Sequence, residues 1–147
     1  PAIDVHPTEP CPTDLGAGRI GRLEEPRTLG AFAASASRVL VAPLQVVGDL
    51  DAPVERVAVS CGAGDDFLAD AAKQGAQVLL TGEARFHRAL EARAMGVGLI
   101  VAGHYATERP GVEDLAQRIA LAFPDLIVWP SRDESDPLSF LHDPIPT

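Results

Sequence analysis

Cysteine is scarce. Cys11 and Cys61 are the only two among 147 residues, too few for a disulfide framework. One lies in a proline-rich lead-in and the other at the end of a strand, so both are expected to stay unpaired. Long apolar runs are missing as well. No stretch approaches the roughly 18 apolar residues that a membrane-spanning helix needs, which excludes an integral helical membrane protein. Positive charge is short. Twelve Lys and Arg stand against 21 Asp and Glu, for a formal net charge of −9. A chain that acidic repels a phosphate backbone, so direct nucleic-acid binding is not expected. A phosphate could still be held locally, by a metal or by a ring of backbone N–H groups. No secretory segment is recognisable, and a cytoplasmic setting is the expectation. A start at Pro1, without Met, is what a processed protein or a piece of a longer one would show.

The remainder has a globular composition, 46% hydrophobic and 22% charged, in a length that suits one domain. Three zones are legible. Residues 1–18 hold Pro1, Pro7, Pro10 and Pro12 and no clear period, which predicts an extended lead-in. Residues 131–147 form an acidic, proline-containing tail, expected to be loosely ordered. The lobe between them, residues 19–130, carries the periodicity. Thr28 is a candidate N-cap for a helix with Leu29, Phe32, Ala33, Ala36 and Val39 on one face. Short apolar runs at 44–47, 56–60, 77–80, 99–102 and 126–129 predict strands. Between them, helices are predicted from Asp65 as a cap to Gly75, over 84–95, and over 107–123 with a single stripe of Val112, Leu115, Ala116, Ile119, Ala120 and Phe123. Strands alternating with helices imply an α/β fold, a parallel or mixed sheet with helices on both faces. The expected core includes Val57, Val59, Val78, Leu80, Leu99, Ile100, Leu115, Ile119 and Ile127.

In such sheets ligands bind beyond the carboxyl ends of the strands. The residues following three successive strands are Cys61-Gly62-Ala63-Gly64-Asp65-Asp66, Thr81-Gly82-Glu83 and Gly103-His104-Tyr105-Ala106-Thr107-Glu108. His104 and Glu108 are four apart and can face one point. An imidazole with a carboxylate suits Zn, Mn, Fe or a similar divalent ion. The same two residues also read as a polar turn residue and an acid complementing a helix N-terminus. Glu83 and His87 repeat the spacing at the same rim. The Gly62–Gly64 turn could offer N–H groups to an anion or could simply be a tight turn. Cys61 reads as a ligand, a nucleophile or a small buried thiol. His6 and His142, in the flanking zones, are expected to have no chemical role.

The segments Gly18-Arg19-Ile20-Gly21-Arg22-Leu23, Val46-Val47-Gly48-Asp49, Val57-Ala58-Val59 with the Gly62/Gly64 turn, Thr81-Gly82-Glu83 with His87, and Gly103-His104-Tyr105-Ala106-Thr107-Glu108 occur in a particular order and spacing. Together, over roughly residues 14–130, they resemble the C-terminal half of the NGG-interacting-factor-3-like family, the dinuclear metal centre proteins or GTP cyclohydrolase 1 type 2 homologues. The resemblance implies one lobe of a two-lobed fold with a dinuclear divalent metal centre between the lobes. It implies that His104 and Glu108 are metal ligands, leaves Glu83 and His87 as candidate catalytic or site-lining residues, and gives Cys61 no role. The implied activity is a hydrolase acting on a small, nucleotide-like substrate through metal-activated water. The alternative is a non-catalytic interaction or regulatory scaffold. The resemblance further implies a homo-oligomer. The paired histidines and the aspartate of the family's other lobe have no match here. This chain alone is therefore expected to hold metal weakly and to be inactive by itself.

Overall fold

The computed structural model describes residues 3–5 and 16–140. His6, Cys11 and His142 lie outside them, and with Cys11 the expectation that it is unpaired. The elements are β1 (Ile3–Val5), β2 (Gly18–Thr28), α1 (Leu29–Leu40), β3 (Gln45–Val47), β4 (Pro53–Ser60), a 3₁₀ turn (Asp65–Phe67), α2 (Leu68–Lys73), β5 (Val78–Thr81), α3 (Phe86–Met95), β6 (Gly98–Val101) and α4 (His104–Ala122). The strands form one mixed sheet in the order β1-β2-β4-β5-β6-β3. β4, β5 and β6 run parallel, with Ser60, Thr81 and Val101 abreast at their carboxyl ends. β2 flanks them antiparallel on one side and β3 on the other. The α/β expectation holds.

Thr28 starts α1 as its spacing predicts. Its extended backbone leads into the helix and its Oγ1 accepts from Ala31 N at 3.2 Å. Alternation along the central strands then feeds two cores. Val57, Val78, Leu80 and Ile100 pack with Leu29 and Ala33 of α1 on one face. Ala58, Leu79 and Leu99 pack with Leu68 and Ala71 of α2 and Ala92 of α3 on the other. Each fully buried Leu or Ile contributes roughly 1.5–3 kcal/mol relative to its exposed state.

The structure corrects several sequence expectations. The eleven-residue strand β2 was not predicted. Its apolar residues are interrupted by charges, and Pro26 lies where the register with β4 shifts, between Arg22 and Arg27, which is how a strand tolerates a residue without an N–H. Residues 126–129 are not a strand, and Ile127 is 89% exposed. Val59 and Leu115 also leave the core, 37% and 57% exposed. The stripe on α4 exists as a period but does not reach the sheet. That helix buries only Ala106, Thr107 and Ala116, so Leu115 and Val112 face outward and Ile119 is half-buried. Asp65 does not cap α2, which has no side-chain cap bond. Its carboxylate faces Arg85 instead. Among the described residues no helix is long and apolar enough to cross a membrane.

Candidate metal-binding rim

The three parallel strands end side by side, and the loops that follow them are laced together. Gly82 N and Glu83 N both donate to Gly62 O, each at 2.9 Å, and Gly103 N donates to Gly82 O at 2.9 Å. Two buried threonines complete the lacing. Thr81 Oγ1 accepts from Gly64 N (2.9 Å) and donates to Gly62 O (3.0 Å). Thr107 Oγ1 accepts from Gly62 N (3.2 Å) and donates back to Gly103 O (2.9 Å). Both side chains could have been suspected from sequence: a hydroxyl at a strand end or in a helix's first turn is well placed to bond backbone.

This lacing positions three side chains. His104 is the first residue of α4, set there by Gly103 at φ 87°. His104 Nδ1 lies 3.0 Å from Glu108 Oε1, one turn along the helix, and His104 Nε2 lies 2.8 Å from Glu83 Oε2, from the loop after β5. The hydrogen bond with Glu83, then that with Glu108, raises the His104 pKa above its ordinary 6.5. All three side chains are about half exposed, so the trio opens to solvent.

Gly62 lines the other side of the pair. Its φ is +62°, a left-handed value, and a Cβ there would sit 2.6 Å from Glu108 Oε1. Both the backbone conformation and the close approach require glycine. The turn does not serve as an anion cradle through its glycines, because Gly62 N is held by Thr107 and Gly64 N by Thr81 and Gly62 O. Cys61 is free and exposed. Partial desolvation of the thiol, then Glu108, pushes its pKa up, the opposite direction from the one that activates a thiolate. His87 is exposed on α3 and is not brought to the trio. Helix α3 begins only at Phe86, so Glu83 and His87 do not share a helical face. Arg85 is instead anchored beside Glu83: its backbone N (2.9 Å), Nε (2.9 Å) and Nη2 (3.1 Å) all donate to the Asp65 carboxylate, and Asp66 bridges Arg85 and Arg88.

The donor chemistry suits half of a metal site. Two cis donors on one divalent ion at ordinary bond lengths stand about 3 Å apart, the spacing of Nδ1 and Oε1 here. Glu83 faces the opposite ring nitrogen, so the two carboxylates do not converge. Among the described residues no three His, Cys, Asp or Glu groups are arranged to hold an ion.

Residues 2–137 match the family described as Duf34/NIF3 (NGG1p interacting factor 3). The chain belongs to this family. A GTP cyclohydrolase 1 type 2 homolog of Bacillus subtilis is 33% identical over 145 residues, 95% of this chain and 39% of that protein. One from Mycobacterium tuberculosis is 41% identical over 114 residues, 75% of this chain and 30% of that protein. Among solved structures, a Bacillus cereus protein related to NIF3 superposes with a TM-score of 0.75 at 33% identity, covering 84% of this chain and 36% of the other. Staphylococcus aureus protein SA1388 gives 0.76 at 30%, covering 86% and 42%. The chain thus spans less than half the length of each of these family members.

Proposed function

We propose that this chain is the C-terminal lobe of a dinuclear-metal hydrolase-like protein, cytoplasmic and homo-oligomeric, that acts on a nucleotide-like small molecule. One observation carries the reading: the imidazole of His104 is held between two carboxylates, one on each ring nitrogen. Glu83, accepting from Nε2–H, favours the tautomer whose Nδ1 lone pair can turn to an ion once the proton shared with Glu108 is displaced. A carboxylate in that position is how a metal-binding histidine is commonly oriented and made more basic. Nδ1 and Glu108 Oε1 are the two donors. Gly62, lacking a side chain, lets the turn after β4 lie close against them. Divalent ions in such a site supply hydroxide near neutral pH and polarise the reacting group. The printed names of the relatives, GTP cyclohydrolase 1 type 2 homolog, support a guanine nucleotide as the substrate type.

Manganese titration followed by electron paramagnetic resonance tests the metal reading. The chain is expected to bind weakly, since two donors make half a site. His104→Ala should weaken binding at least tenfold, since loss of even an outer-shell partner costs about that much. His87→Ala should leave it unchanged. A His104→Ala/Glu108→Ala variant that binds manganese like the parent chain would overturn the reading.

The second reading, a non-catalytic interaction scaffold, draws support from the outward-facing Val112 and Leu115 on α4. Formate release from GTP separates the two: a two-lobed family member carrying this lobe releases it as a hydrolase and does not as a scaffold.

A further inference from the structure

Beyond Glu83 and His104 the chain returns over the rim. Residues 131–138, expected as a loose tail, are tied to the outer side of α4. Arg109 Nη2 donates to Ser131 O at 2.6 Å, and the Tyr105 hydroxyl donates to Glu134 O at 3.0 Å. Asp136 then closes a short turn by accepting from Leu138 N at 2.9 Å through Oδ1. Its Oδ2 faces Gly103, 3.8 Å from where a Cβ would stand. Between this return and the strand ends lies a cavity of about 330 Å³.

The lining states what the cavity can take. Gly103 leaves part of the wall as bare backbone, against which a flat ring can lie. Val101, Tyr105 and Leu138 supply apolar surface. Glu83 and Asp136 bring two carboxylates against one imidazole, His104, which is bonded to Glu83, and neither Lys nor Arg lines it. A phosphate would be repelled there. Hydrogen-bond donors would be welcomed, because an ionised carboxylate accepts only and has about four lone-pair positions, of which Asp136 uses one for Leu138 N. The volume is at the small end of ligand cavities, suited to one ring system.

We propose that this cavity binds a flat, uncharged heterocycle that presents two adjacent N–H donors to Asp136, as the Watson–Crick edge of guanine does, and that residues 131–138 are its outer wall. The inference deepens the nucleotide reading above and rests on it for the choice of a nucleoside. Any phosphates of such a ligand would lie outside the cavity, away from Glu83 and Asp136.

The test is guanosine binding to the whole chain in the presence of EDTA, followed by saturation-transfer NMR and calorimetry. Because no metal takes part, its outcome is independent of the manganese experiment: guanosine binding can fail while manganese still binds, and the reverse. Guanosine should bind, and adenosine, which lacks the paired donor edge, should bind at least tenfold more weakly, as expected when a buried polar group is left unpaired. Asp136→Asn retains the oxygen for Leu138 N but replaces an acceptor by a donor, and should weaken guanosine binding about tenfold. Leu138→Trp, which fills the cavity, should remove it. Asp133→Ala, an exposed change outside the cavity, should leave it unaltered. The proposal is overturned if guanosine does not bind, if adenosine or an alkylammonium salt binds as well, or if the Asp136 and Leu138 variants bind like the parent chain.

Discussion

A Cβ on Gly62 would stand 2.6 Å from Glu108 Oε1, with His104 Nδ1 only 3.5 Å away. The turn after β4 and the first turns of α4 are therefore mutually exclusive with any side chain at position 62. Gly62→Ala meets two penalties. The left-handed φ of +62° costs about 1–2 kcal/mol for an L-residue with a Cβ, and the methyl group displaces the carboxylate. In a Glu108→Ala background only the first remains. Urea unfolding of the four chains of this cycle should give a smaller loss for Gly62→Ala when residue 108 is already alanine. Equal losses in both backgrounds would mean that the contact carries no energy.

His104 should titrate above its ordinary 6.5, because Glu83 first and Glu108 second favour the imidazolium. A raised folded-state pKa contributes stability that is fully present below the unfolded value and is lost as pH rises through the folded one. The contribution is small, since the ring is half exposed. NMR titration of the ring protons measures the shift directly. Glu83→Gln should move it down more than Glu108→Gln does. A Glu83→Gln protein whose His104 titrates like the parent's would show that the 2.8 Å contact is not formed in solution.

The parallel strands were legible because they are short, apolar and bounded by Gly or Pro, as strands covered on both sides are. Strand β2 was not, since Ile20 and Leu23 are separated by charged neighbours and only its first part is buried. Residues 126–129 carry strand composition, yet a strand also needs an edge to pair with, and no described strand pairs with them. The stripe on α4 misled in the same way: periodicity marks an apolar face but not what covers it. At the site, the i, i+4 pair His104 and Glu108 was readable from spacing. The partnership of Glu83 with His104 was not, being 21 residues distant. It follows from register: Thr81 pairs with Val101, so residues two and three beyond them emerge together. His87 was drawn in by a helical spacing that starts only after Glu83.

Asp65, 4% exposed, holds Arg85 through three donors. The Arg85 hydrogen bonds keep its carboxyl below its ordinary 3.8. A depressed pKa gives stability that is present above the unfolded value and disappears as pH falls through the folded one, here below about pH 4. Asp65→Asn should cost on the order of 1.5–3 kcal/mol at pH 7, the range for hydrogen bonds to a charged group. The gap between the two proteins should narrow at pH 3. Denaturant midpoints at both pH values check this, and a gap that does not change with pH would count against it.

Thr107 and Thr81 both lace the rim, but unequally. Thr107 Oγ1 is the acceptor that holds the Gly62 N–H. Thr81 Oγ1 shares its work with backbone, since Gly64 N also donates to Gly62 O at 3.0 Å, and Gly62 O receives Gly82 N and Glu83 N besides. Thr107→Val keeps the shape and leaves a buried N–H without a partner, a loss of about 1–3 kcal/mol. Thr81→Val leaves the backbone bonds of the turn in place and should cost less. Thr107→Ser, which restores the hydroxyl, should recover most of the deficit. Stability alone would not separate lacing from ordinary packing, so amide exchange at Gly62 is the deciding measurement. It should accelerate in Thr107→Val, return toward the parent rate in Thr107→Ser, and change little in Thr81→Val. The His104 ring resonances should move with it, because Gly62 packs against the His104–Glu108 pair. If Thr81→Val exposes the Gly62 amide as much as Thr107→Val does, the three loops are held by the sheet ends and not by the Thr107 hydroxyl.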